Sequence, residues 1–270
     1  MTGAGYIELS YFDLVLAAAL ILINGLLSVA FRLGLERTLA LNAARMVVQL
    51  GAIGFVLKFI FAQTSPLWTL GLGLCMVLFA GREAVARQTR RFRGWVAYGL
   101  GTSTLLFVGL LAVLFGVGVL IGPDPWYSPR FVLPILGMIL GNTLTGISLG
   151  LDTLTTAANR ERASIEARIA LGHTRNDAMS AVTRQALRTG LMPIINAMAA
   201  TGIVALPGMM TGQILAGVDP VQATKYQLLI MFLIAGGTGL GVLIAVLGGM
   251  RLLTDDRHRL RLDRLEKPDQ

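Results

Sequence analysis

The chain has 270 residues, 54% of them hydrophobic and only 14% charged, with a mean hydropathy of +0.69 and a formal net charge of +8. That composition is too apolar for a soluble domain of this length. The positive charge is not a nucleic-acid signal, because the arginines lie in the gaps between apolar runs instead of on one continuous patch.

A helix crosses a bilayer core in about 20 residues at about 1.5 Å each. On that ruler seven spans are predicted, in chain order Leu14 to Phe31, Leu39 to Phe61, Leu67 to Gly81, Trp95 to Ile121, Phe131 to Leu151, Leu191 to Gly217 and Tyr226 to Met250. The third is short, so it is either tilted little or extended by Arg82 reaching to the interface. Cys75 lies inside it, and as the sole cysteine it excludes an intrachain disulfide. The predicted class is therefore an all-α, polytopic membrane protein of about seven transmembrane helices, with residues 1–270 forming a single permease domain.

The gaps set the orientation. The stretches 32–38, 82–94, 152–190 and 251–270 hold 19 Lys and Arg residues, whereas the alternate gaps hold three, Lys58, Arg130 and Lys225. Basic loops stay on the cytoplasmic side. This places the N-terminus outside and the C-terminus in the cytoplasm of an inner (plasma) membrane protein. The tail from Arg251 to Gln270 reads as a helix extension that frays into a solvated end.

The longest polar gap, 152–190, is patterned as helix. Thr155 to Leu171 is rich in Ala, Arg and Glu, Gly172 supplies a stop, and Thr174 with Asp177 three residues on offers an N-cap for a second helix. Ala178, Val182, Ala186 and Leu187 fall on one face of that second helix. Such an amphipathic element suits docking into a groove on a soluble partner or lying on the membrane surface.

Glu166-Ala-Arg-Ile-Ala-Leu-Gly172 resembles the Glu-Ala-Ala loop of ABC-transporter permeases, the element through which an ATPase pushes on membrane helices. Glu166, Ala167, Gly172 and Val182 stand in register with the importer form of that loop. Arg168 replaces its second alanine, and Arg184-Gln185 stand where it has Leu-Pro, so the standard importer pattern is not met. A closer resemblance is to the small family of seven-span permeases that includes the FetB-type iron exporters and plant aluminium-tolerance relatives. It covers most of the chain and is carried by Glu166 to Gly172, by Ala205-Leu-Pro-Gly-Met-Met-Thr-Gly-Gln213 and its continuation to Pro220, and by Lys225-Tyr-Gln227. The resemblance implies ATP-driven export of iron or another metal ion, with a homodimer of the permease and two copies of an ABC ATPase subunit. Coupling to that ATPase would fall to Glu166, Ala167, Gly172, His173, Thr174 and Asp177.

The chain has no Gly-x4-Gly-Lys-Ser/Thr motif, and its only lysines are Lys58, Lys225 and Lys267. It is read as a transport subunit and not an enzyme, with no cofactor of its own. ATP and Mg belong to the partner.

Several polar positions fall inside predicted spans. Arg45 and Gln49 share a helical face, where an unpaired arginine at depth costs about 2.5 kcal/mol or more. A pathway role and snorkelling to the interface remain alternatives for it. Asn142, Thr143 and Thr145, with Asn196 and Thr201, either hold helices together or line a path. Pro207 and Gly208 break a span, which is tolerated where backbone lines a cavity or is buried in protein. There Met209, Met210 and Gln213 offer soft and neutral ligands to a passing metal, or simply fill gaps. No Cys/His cluster marks a resident metal site.

Three rivals remain to be weighed. A retinal-type pump needs a lysine in the middle of its last span, and Tyr226 to Met250 has none. A secondary transporter often shows two similar halves, and the 152–190 corner has no counterpart in the first half. An ABC importer permease for a small solute would need an external binding protein.

Overall fold

The computed structural model describes residues 10–62 and 65–266, and among these it is helical, without named strands. The chain divides into two compact units, Met1–Thr64 and Ser65–Gln270.

The first unit is a pair of helices, α1 (Tyr11–Ala30) and α2 (Glu36–Phe61). Ser10 and Asp13 form a reciprocal capping box that starts α1. The turn between the helices is fixed from inside, where the buried Ser28 hydroxyl accepts the Leu35 amide at 2.9 Å and donates to Glu36 at 3.0 Å. Almost every other side chain of the pair is exposed or half-exposed, as suits helices whose solvent is lipid.

The second unit is a bundle of α3 (Pro66–Ala86), α4 (Trp95–Ala112, continued as π-helix over Val113–Ile121), α5 (Pro129–Arg160), α6 (Arg162–Ala170), α7 (Arg175–Ala200), α8 (Gly208–Leu215) and α9 (Pro220–Leu252). Proline occupies the first turn of α3, α5 and α9, where its missing N–H costs nothing. Ser65 and Asp219 accept amides at the starts of α3 and α9. Gly122, at φ +58°, closes the π-helical end of α4.

Small residues bring the helices together and reveal their directions. Gly73 meets Leu136 and the Ser148 hydroxyl reaches the Ala84 carbonyl, so α3 and α5 run parallel. Gly146 and Gly150 of α5 abut Val242 and Val246 of α9, again parallel. The same two glycines abut Gly190 and Ala186 of α7 in reverse order, so α7 runs antiparallel. Gly116 against Leu233 and Gly248 against Leu100 set α4 antiparallel to α9. Helix directions in this unit thus alternate as a serial crossing requires. The arginines of 82–93, 160–188 and 251–264 consequently gather at one end of the bundle.

Among the described residues six helices, α1 to α5 and α9, are long and apolar enough to cross a membrane. The predicted third span is not short, since α3 has 21 residues. The predicted sixth span, Leu191 to Gly217, is broken at Pro207 and Gly208 as expected, but the break is longer and the helix before it starts earlier. Its first part is the end of α7, which begins in the polar stretch at Arg175. A non-helical turn follows over 201–207, and only then comes α8. Pro193 inside α7 and Pro207 before α8 each remove a backbone donor, and Gly202 at φ +94° turns the chain between them. The return crossing therefore belongs to a discontinuous element.

Candidate functional site

Helix α5 has 32 residues and α9 has 33, lengths of about 48 and 50 Å at 1.5 Å per residue. Both exceed a hydrocarbon core of about 30 Å, so both project beyond it. On the projecting end of α5 sits a corner. The chain bends at Glu161, runs through α6, turns at 171–174 and enters α7.

The corner is fixed by local chemistry. Gly172 has φ +89°, a left-handed conformation that side chains resist, and its amide donates to the Ile169 carbonyl at 2.9 Å. The His173 amide reaches the Arg168 carbonyl at 3.1 Å, completing the helix stop. Thr174 caps α7 by accepting the Asp177 amide at 3.3 Å, and its hydroxyl donates to the Asp177 carboxylate at 2.6 Å. Glu166 pairs with Arg162 at 2.8 Å on α6, and the Ala167 carbonyl accepts the Leu171 amide at 3.1 Å. The predicted residues 166, 167, 172, 173, 174 and 177 are all exposed and all belong to this one turn and its flanks.

Helix α7 differs from its expected role. Ala178, Val182 and Ala186 are buried in the bundle's own core, together with Leu154, Ala158 and Ile165. The face read as a docking stripe is spent internally, because α7 is the first part of a crossing helix and packs along α5. What protrudes instead is α6 and the tip, where Leu171 is 80% exposed.

The C-terminal tail also departs from expectation. Residues 267–270 lie outside the described part, but 253–266 do not fray. The segment doubles back, with Thr254 bridging to Leu260, and the Arg261 amide bonds the Leu253 carbonyl at 2.8 Å. Asp255 organises the turn by accepting the amides of Arg257 and Arg259 and the Arg259 guanidinium. The Arg259 amide, more than any other group, holds the Asp255 carboxyl below its usual range. Asp263 is pulled down to about 2 by its hydrogen bond with Arg261. Leu265 then pairs with Phe92, the Arg93 amide donates to the Arg264 carbonyl at 2.8 Å, and Arg91 pairs with Glu266. At its near end the tail touches the corner, where the Arg175 amide donates to His258 Nδ1 at 3.2 Å and Arg175 pairs with Asp256 at 3.6 Å.

Sequence reasoning missed this strap. A signal was present in the alternation Leu260-Arg-Leu262 followed by Leu265, an extended amphipathic pattern, and in Phe92, a lone aromatic among arginines. Thr155 and Asp152 of α5 complete the collar by bonding the Arg90 carbonyl at 2.8 Å and the Thr89 amide at 2.6 Å.

The intramembrane positions separate. Arg45 and Gln49 lie on α2 in the first unit, one turn apart and exposed. In the second unit the Asn142 amide is turned back to the Met138 carbonyl of its own helix at 2.8 Å. Thr143 instead meets Thr238 across α5 and α9 at 3.4 Å, which is helix glue. Thr145 and Thr201 bond carbonyls of their own helices. Pro207 caps α8, and Met209, Met210 and Gln213 are half-buried along it. Met209 packs on the apolar cluster of Ile194 and Ile230, while the Gln213 amide oxygen is buried without a hydrogen-bond partner. Gln227 of α9 has an equally orphaned oxygen. Among the described residues no group of three or more His, Cys, Asp or Glu side chains is placed to hold a metal ion.

An all-α bundle of apolar helices with a broken crossing element and a rigid polar corner defines a polytopic membrane permease, a multi-pass protein of the plasma membrane. The family model described as "Uncharacterised protein family (UPF0014)" matches residues 11–253, and the chain belongs to that family. It is 32% identical to the "Probable iron export permease protein FetB" of Escherichia coli, over 94% of this chain and 96% of that one. It is 37% identical to the UPF0014 membrane protein slr1647 of Synechocystis, over 75% of this chain and 77% of its relative. The rice UPF0014 membrane protein STAR2 is 34% identical, over 83% of this chain and 76% of its own. No solved structure matches the chain.

Proposed function

We propose that the chain is the permease subunit of an ATP-driven ABC transporter and exports iron or another metal ion from the cytoplasm. The observation that carries this reading is the corner at Gly172, a stiff, exposed turn between α6 and α7 at the arginine-rich end of the bundle. An ATPase has there a protruding element tied directly to two long helices, so that displacement of the corner moves α5 and α7 together. ATP and Mg are read as belonging to a separate ATPase subunit, in keeping with the lack of a phosphate-binding motif in this chain. The E. coli relative named for iron export supports both the cargo and its direction. The metal ion is substrate here, handed along neutral groups such as Met210 and Gln213. The complex is read as a homodimer of the permease with two ATPases, the basic end facing the cytoplasm and the N-terminus outside.

The test is reconstitution. Liposomes carrying this chain with an ABC ATPase from its own gene neighbourhood should move ferrous or ferric ion uphill on ATP addition, and those carrying the chain alone should not. Uphill transport by the lone chain would assign it to the secondary transporters. A requirement for an external binding protein would assign it to importers.

A further inference from the structure

A cleft of about 510 Å³ opens at the basic end of the bundle, between the first half of α7 and the last turns of α9. One part of its wall is cationic, formed by Arg175, Arg184 and Arg251, and none of its lining residues is acidic. Arg175 is engaged by Asp256 at 3.6 Å and by the Asp255 carbonyl at 3.5 Å. The side chains of Arg184 and Arg251 are exposed and have no ion-pair or hydrogen-bond partner among the described residues. The Thr183 hydroxyl oxygen, also on the lining, is buried with no partner. The rest of the lining is polar but uncharged at Asn176, Ser180 and Thr183, and apolar at Leu187, Leu247 and Met250. Leu247 and Met250 sit where α9 leaves its hydrophobic stretch, with Arg251 marking the boundary.

A lining that joins guanidinium groups to uncharged polar and alkyl side chains, at the level where a membrane helix meets water, fits an anionic amphiphile. We propose that this cleft binds a phospholipid of net negative headgroup, its phosphate held by Arg184 and Arg251 and its chain laid along Leu187 and Leu247. A zwitterionic lipid is disfavoured, because its ammonium would face the unpaired Arg184 and Arg251 with no carboxylate in the lining. A free phosphate would satisfy the guanidinium groups and leave the apolar wall in water. The bound lipid bridges α7, which carries the corner, to α9, so it braces the coupling end of the bundle. This inference does not depend on the identity of the cargo.

The experiment uses the full-length chain, purified and delipidated, with lipid binding read by native mass spectrometry and by thermal shift. Phosphatidylglycerol should bind at least about 30-fold tighter than phosphatidylcholine of the same chains. The double variant Arg184→Gln/Arg251→Gln should lose that preference by about 30-fold, the scale of two basic contacts to an anionic surface, while still binding phosphatidylcholine and melting as wild type without lipid. Arg251→Gln alone should lose part of it, and Arg257→Gln, on the tail and outside the cleft, should keep it. Equal binding of the two lipids, or an undiminished preference in the double variant, would overturn the proposal. Competition by inorganic phosphate as strong as by phosphatidylglycerol would reduce the site to a simple anion pocket and overturn it. So would equal competition by a poly-glutamate peptide, which would assign the cleft to a protein contact.

Discussion

The backbones of Gly146 and Gly190 touch. A Cβ placed on Gly190 would lie 2.8 Å from the Gly146 carbonyl oxygen, and one placed on Gly146 would lie 2.9 Å from the Gly190 carbonyl oxygen. Neither obstacle is the flexible end of a side chain, so a methyl group at either site forces α5 and α7 apart. In a bilayer, where lipid tails are as apolar as leucine, such close approach is the main source of helix association. Gly190→Ala should lower stability by about 1–3 kcal/mol, the usual cost of overpacking, seen as a fall in melting temperature. Gly141→Ala on the same α5, where an added Cβ meets nothing within 4 Å, should leave the melting temperature unchanged.

Gly172 separates conformation from packing. An added side chain there meets nothing, but the φ of +89° resists one. Gly172→Val should therefore distort the corner while the bundle folds, at a cost of about 1–2 kcal/mol or more. ATPase stimulation in the reconstituted complex should fall sharply. Gly172→Asn, a residue tolerant of left-handed backbone, should recover much of it. Equal loss in both variants would mean that the turn's conformation is not what the ATPase reads.

Phe92 is 2% exposed and anchors the strap through its bridge to Leu265. Phe92→Ala should cost about 3–5 kcal/mol, as deletions of a buried aromatic do. Hydrogen exchange at residues 260–266 should accelerate, with little change in α3. Protection that persists in the tail would show that the strap is held by its ion pairs.

The strap should also be acid-sensitive. Asp255 and Asp263 have folded-state values below their ordinary ones, Asp263 at about 2. Groups depressed in this way stabilise the folded form fully above the unfolded value of about 4, and that contribution is lost as pH falls through the folded value. A nitroxide label at Leu262→Cys, in a Cys75→Ser background, should gain mobility between about pH 4 and pH 2. Asp263→Asn should gain the same mobility at neutral pH.

Much of this architecture was legible because bilayer physics writes it plainly. Apolar length located six of the helices, charge counting agreed with the alternating directions of α3, α4, α5, α7 and α9, and Gly172 with Thr174 announced the corner by composition alone. The break in the sixth crossing was legible in Pro207 and Gly208, but its extent was not, because apolar residues run on through 201–207 and hydropathy registers neither the left-handed Gly202 nor a helix that begins back at Arg175. The tail was misjudged because its contacts are remote in sequence. Nothing near residue 265 says that Phe92 awaits it. Among the polar intramembrane residues, sequence could name Thr143 and Asn142 equally, and only geometry separates an interhelical bond from one folded back on its own turn.

The unequal continuity of α5 and α7 gives the two helices different mechanical characters. Helix α5 continues from Pro129 to Arg160 with its ladder interrupted only at Pro134, near the far end. It acts as a stiff rod, so a tilt applied at Glu161 arrives almost undiminished on the opposite side of the membrane. Helix α7 carries Pro193 and stops at Ala200, before the turn of 201–207. A displacement of the corner would there meet a non-helical turn, so α5 and α7 would respond unequally and slide past one another.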